Sequence, residues 1–432
     1  MPNYKKKKHS RFLNQPAKAS KNRMQKKQKY EDIEMTPKSK NRNPDGNGEE
    51  MKVIKGNKYR RERKSKVGLC VLAVVLVLVM SLQIILPGGI INSITNAVAL
   101  LGSGSYPIEL GNVSIVDSVS KGSYYYVLSS ESITAYSNAG EKMFNFVHGF
   151  EFPVLKTSDS RALVFDQGGN DAYIFNLSGL KESVKTENAI ITAAISDSGY
   201  FAIATHSKKY TAEVKVYSKN AKVVYDWFSA EDTVNNVALS KTGRKLAVST
   251  FNSQNGIFKS KLSVLKYKSA TPVYKKEFSD TLIYSIDTTH PSYFAVVLNS
   301  SVEFIKWSNQ KTKQYTNEYS TAFFRGGKGG YIAVFNRESN RTDNKIAVFS
   351  KSGTLKSETS FKGIISDIQI RNGHIYCISD TDIYLLSKDG GILRKASCGF
   401  GAVRLNVSST NAVTVVSDNN IERISLEREE EK

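Results

Sequence analysis

The chain has 432 residues, 61 Lys and Arg against 40 Asp and Glu, and a formal net charge of +21. With 40% hydrophobic residues it can bury a large core, and three cysteines exclude a disulfide-stapled fold. Such a charge suggests nucleic acid, but residues 1–66 alone hold 22 basic and 7 acidic residues, so most of the excess lies in a tail and nucleic acid is disfavoured as a partner.

Residues 1–66 have few aliphatic side chains, a Lys5-Lys6-Lys7-Lys8 run and the stretch Asn43-Pro44-Asp45-Gly46. Such a segment cannot bury enough apolar surface to offset chain entropy, and disorder is expected. Its charge serves topology and solubility, or contacts anionic lipid headgroups.

Residues 67–86, Val67 to Leu86, carry no charge, and only Gly68, Ser81 and Gln83 interrupt the apolar run. At about 1.5 Å per residue, a helix of this length spans the roughly 30 Å hydrocarbon layer of a bilayer. Arg60-Arg61-Glu62-Arg63-Lys64-Ser65-Lys66 abuts it. Basic residues resist translocation, so the reading is a single-pass protein in the cell membrane, with its N-terminus cytoplasmic and residues beyond 86 outside. Ala97-Val98-Ala99 resembles a signal cleavage site but lies 13 residues past the apolar segment, and a 66-residue basic leader is too long for a signal peptide.

Pro87-Gly88-Gly89 ends the span. Apolar residues at 90, 91, 94, 97, 98 and 101 then follow a helical period. A helix on the membrane surface and an ordinary linker helix both fit. The linker is placed at 87–105, the globular domain at 106–427 and a charged tail at 428–432.

From Tyr106 onward, runs of five to eight residues rich in Val, Ile, Tyr and Phe alternate with polar turns, which reads as all-β. One turn recurs at Ser137-Asn138-Ala139-Gly140, Ser218-Lys219-Asn220-Ala221, Ser350-Lys351-Ser352-Gly353 and Ser387-Lys388-Asp389-Gly390, with weaker copies near 176, 268, 308 and 425. Ser196-Asp197-Ser198-Gly199 and Ser240-Lys241-Thr242-Gly243 keep phase with it. A period near 40 residues with four short strands per unit predicts a β-propeller of eight blades, or seven if the weak copies near 268 and 308 mislead. The last unit shows only three strands, and Tyr106-Pro107-Ile108-Glu109-Leu110 is expected to supply its fourth.

Several passages carry a family resemblance. They are Pro153–Lys156 with Arg161–Gly169, Ala202–His206 with Glu213–Tyr217, and Val237–Ser240 with Gly243. In these the domain resembles a Gram-positive family of unknown function, made of single-pass membrane proteins with an extracytoplasmic WD40- or quinoprotein-like propeller. That resemblance implies a cell-surface location and no activity.

No P-loop, HExxH, CxxC or nucleophile-elbow motif is present, and the five histidines are scattered. No catalytic residue, metal or cofactor is expected. Cys377 and Cys398 are either bridged or free. One loop, Asp166-Gln167-Gly168-Gly169-Asn170-Asp171, joins the second and third strands of blade two, and such loops share a face with the connections between blades. The candidate binding face is therefore His148, Asp166, Gln167, Gly168, Gly169, Asp171, His206, Tyr210 and Asn255. Its carboxylates, imidazoles and amides would hold a polar ligand or a partner segment. The function expected is a non-catalytic platform for an unidentified protein or cell-wall partner on the outer side. The alternatives are an extracytoplasmic hydrolase or a ligand sensor.

Overall fold

The computed structural model describes residues 72–75, 77 and 104–426, apart from 112, 255, 268 and 270. The basic tail, most of the predicted span, the linker as far as residue 103, the final residues 427–432 and the candidate Asn255 lie outside the described residues. Residues 72–75 and 77 are helical, and Leu72, Val74, Val75 and Val77 are exposed. Among the described residues no helix is long and apolar enough to cross a membrane.

Residues 106–426 form eight antiparallel four-stranded sheets arranged as blades. Blade one runs through Ile115–Ser120, Tyr124–Ser129, Ser132–Ser137 and Lys142–Val147. We name the four strands of each blade A to D in that order, A being nearest the axis. Strand burial follows this order. Strand B of blade one is buried throughout, whereas its strand D alternates between exposed and half-buried residues. A strand covered on both faces needs a continuous apolar run, and an outer edge needs polar residues. Six of the seven D strands in blades one to seven carry lysine, which discourages edge-to-edge pairing.

Blade eight has three consecutive strands, Ala402–Val407, Ala412–Ser417 and Asn420–Ser425. Its outer strand is Ile108–Glu109, paired Ile108 to Ile421 and Glu109 to Asn420. The Leu110 amide donates to Asn419 O at 2.8 Å. The expected closure is therefore present, and the count is eight.

Eight buried apolar clusters fill the eight interfaces between blades. Seven hold eight to twelve buried residues each. The cluster between blades eight and one has five: Tyr125, Val127, Tyr136, Val416 and Ile421. Polar contacts supplement this seam. Arg404 pairs with Asp117 at 3.0 Å, and Asn406 Nδ2 donates to Ser118 Oγ at 3.1 Å.

The recurring serine turns are all C–D turns with one bonding pattern. In each, the serine amide donates to the carbonyl four residues on, as Ser350 does to Thr354 at 2.8 Å. The hydroxyl accepts the amide of that same residue, at 3.1–3.3 Å in the four copies. The residue three after the serine has positive φ (Gly140, Ala221, Gly353 and Gly390), which explains why glycine fills three of the four positions. Cys377 and Cys398 are both buried and unbridged.

Candidate functional site

Strand direction sorts every connection onto one of two faces. The B–C loops and the connections between blades share one, the B–C face. The A–B and C–D turns share the other, the A–B face. All described candidate residues lie on the B–C face, although several of their side chains are used inward.

Asp166 accepts the Phe152 amide at 2.8 Å, bracing the connection between blades one and two. Gln167 is exposed, but its Nε2 donates to Ile191 O at 3.1 Å. Gly168, at φ +89°, donates to Ile190 O, and Gly169 O accepts from the Ile190 amide at 2.7 Å. The loop is thus hydrogen-bonded to the start of blade three. A Cβ at Gly169 would meet the Asp166 carboxylate, so the turn requires glycine there.

His148 is buried. Its Nδ1 accepts the Phe150 amide at 3.0 Å, which leaves the proton on Nε2 to donate to Ser129 O at 3.2 Å. Burial pulls its pKa below the usual histidine range, against the Ser129 carbonyl and Asp166. Its ring stacks on Phe150, 5.0 Å away. Asp171 is half-buried, with Lys185 at 4.0 Å. His206 is exposed on blade three. Tyr210 packs on Phe228, with ring centroids 4.9 Å apart, and Lys209 lies over its ring. Among the described residues no three His, Cys, Asp or Glu side chains come together as a metal-binding group.

The same face holds features that sequence reasoning missed. A cleft of about 470 Å³ lies across blades five to seven, lined by Tyr284, Asn299, Phe323, Glu338, Arg341 and Ile364 among others. In six blades, among them blades six and seven, which border this cleft, strand A also carries an extra residue near its B–C end. Ala322 and Ser366 are two of these, each unpaired in the register with strand B. Around the rim, four of the connections leading into a strand A present a large exposed apolar side chain. They are Phe152 (60% exposed), Tyr284 (49%), Ile364 (50%) and Phe400 (92%). The rim is acidic. Its described loop residues, those between strands, include ten Asp and Glu against two lysines.

Inner strands also carry buried charge. Asp367 is fully buried, pairs with Arg325 at 2.8 Å and accepts the Leu405 amide at 2.9 Å. Burial raises its carboxyl pKa, against the pull of Arg325 and the Leu405 amide. On the A–B face, successive turns bring Asp159, Asp197 and Lys241 together. The Asp159 amide donates to Asp197 Oδ1 at 3.0 Å, and Lys241 pairs with both carboxylates. The repeated Ser-Asp-Ser at 158–160 and 196–198 was the available signal for this group.

The model of a family of unknown function, DUF5711, matches residues 106–426. The chain belongs to that family. The match covers the propeller from its closing strand to the end of blade eight. No curated protein matches the chain by sequence. Among solved structures, the C-terminal WD40 domain of Sif2 is similar at a TM-score of 0.54 and 10% identity, over 76% of this chain and 100% of that one. Sqt1 from Chaetomium thermophilum, bound to the N-terminus of the ribosomal protein L10, is similar at 0.51 and 11%, over 74% and 98%. The dihydro-heme d1 dehydrogenase NirN in complex with DHE follows at 0.50 and 10%, over 74% and 78%. At such identities the likeness establishes for this DUF5711 member a WD40-like fold and nothing of its chemistry.

Proposed function

We propose that this chain is a membrane-anchored, extracytoplasmic platform whose propeller binds a protein through its B–C face. The observation that carries the reading is the set Phe152, Tyr284, Ile364 and Phe400, four large apolar side chains exposed on one rim. Exposed aromatic and aliphatic anchors are what protein interfaces use as hot spots, and two of these four, Tyr284 and Ile364, also line the cleft. The acidic rim selects a partner with a basic surface and speeds its encounter. Membrane anchoring is supported by the uncharged stretch 67–86, the adjoining basic cluster and the exposed apolar residues of helix 72–75. Sqt1 illustrates a propeller of this fold holding a protein segment.

The test is photo-crosslinking in living cells, with the reactive group at Phe400 and at Ile364 and a control at Lys388 on the opposite face. The expected result is one protein captured at both rim positions, its capture at 364 lost with Phe400→Glu. Capture at Lys388 alone, or saturable turnover of an envelope substrate by the purified chain, would overturn the platform reading.

A further inference from the structure

We infer that the A–B face of the propeller rests on the anionic phospholipid headgroups of the membrane in which residues 67–86 are anchored. This rests on the anchoring reading above and adds the orientation of the domain.

Two independent observations carry it. The first is charge. The described turns of the A–B face hold ten Lys and Arg against four Asp and Glu, the reverse of the B–C face. Lys219, Lys222, Lys311, Lys328, Lys351 and Lys388 are exposed there, and among the described residues none of the six has a carboxylate within 4.0 Å. Isolated lysines on turn tips stabilise no neighbour, but they form a plane of positive potential that an anionic surface attracts.

The second is where the chain arrives. Strand D of blade eight begins on the A–B face. Just before it, Tyr106 donates its hydroxyl to Asn138 O at 3.4 Å, in a C–D turn of that face. The chain leaves on the same face, where the Leu426 amide donates to Asn411 O at 2.8 Å in an A–B turn. Seventeen residues, 87–103, separate the uncharged stretch from Gly104. Fully extended they reach at most roughly 60 Å, so the tether keeps the domain within that distance of the bilayer and enters the domain on this face. Attraction acts within about 10 Å of the headgroups, so seating the domain requires the basic face to turn inward. The acidic, apolar-rimmed face then points away from the membrane.

The test reconstitutes the full chain, in a Cys70→Ser background, into nanodiscs of phosphatidylcholine with or without phosphatidylglycerol. A fluorophore is attached at Lys351→Cys or at Glu338→Cys, and a headgroup-labelled quencher lipid is included. The expected result is quenching at 351 at least about threefold greater than at 338 in phosphatidylglycerol discs, the difference collapsing in neutral discs or at 1 M salt. Lys219→Glu, Lys222→Glu and Lys388→Glu together should abolish it. Equal quenching at the two positions overturns the orientation alone, as does preferential capture of a soluble phosphate polymer by the basic face with no quenching in discs. Release of the chain from native membranes by alkaline carbonate overturns the anchor reading, and this inference with it.

Discussion

The seam between blades eight and one is the thinnest of the eight interfaces, and it is where the ring should yield first. Ile421 is fully buried there and pairs with Ile108 across the closing strand. Ile421→Ala removes three carbons, about 2.4 kcal/mol of transfer free energy at about 0.8 per methylene, and leaves a cavity. A cost of about 3.5 kcal/mol is expected, inside the range for buried Ile→Ala. Ile108 is half-buried, so Ile108→Ala should cost about 1.5 kcal/mol. With an unfolding entropy near 2.1 cal/mol/K per residue over about 320 residues, these become drops in Tm of about 5 °C and 2 °C. Because the two side chains share one small cluster, the double variant should fall short of the sum by about 0.5–1.5 kcal/mol. The assay is calorimetry of the four proteins, with hydrogen exchange read blade by blade. The seam variants should accelerate exchange in blades one and eight before the others. Additivity within about 0.3 kcal/mol, or exchange spread evenly around the ring, would refute the view that Ile108 closes it.

Arg325→Met strips the partner from the buried Asp367 and should cost about 3 kcal/mol, with part recovered by adding Asp367→Leu; urea midpoints measure both. Burial lowers the pKa of His148 and His290 below 6.5, so the unfolded chain binds protons that the folded one refuses, and stability falls as pH drops below 6.5. Thermal scans from about pH 5 to 7.5 should therefore show a rising Tm, with a shallower slope in His148→Gln and His290→Gln. The Cys377 thiol is pushed up to about 12 and that of Cys398 to about 11, in both cases chiefly by burial. Neither should react with iodoacetamide until urea unfolds the propeller, as mass spectrometry of labelled peptides would show. A Cβ at Gly353 would strike the Phe304 ring, so Gly353→Ala should lower stability by more than the roughly 1 kcal/mol of left-handed strain alone.

Much of this fold can be read from residues because its turns demand particular chemistry. Ser350 and Gly353 mark a C–D turn through a hydroxyl acceptor and a positive φ, and both requirements leave a trace in sequence. The missing strand of blade eight was legible for a related reason, since three strands in a unit of four leave an unpaired edge. The cleft was not legible. Tyr284, Glu338 and Ile364 are far apart in the chain and meet only once three blades stand side by side. Loop 166–171 stands out in the sequence for its Asp and Gly content, yet Asp166 and Gln167 spend hydrogen bonds on the Phe152 amide and Ile191 carbonyl. Phe400 carries no distinguishing motif in the sequence and is the most exposed large apolar residue on its rim. The opposed charge of the two faces is written residue by residue, but only strand direction sorts the loops into two groups.

The pairing of Ile108 with Ile421 also sets the order of assembly. Ile108 is the first propeller strand to be synthesised, and its partner follows more than 300 residues later. Until blade eight has been made, the outer strand has no sheet to join, and seven blades stand with two open flanks. Pairing of this sequence separation is slow, and the waiting flanks expose apolar surface and unpaired strand edges. A chain that stalls or is truncated anywhere before residue 420 cannot close, so the third strand of blade eight acts as a completeness check on the whole ring.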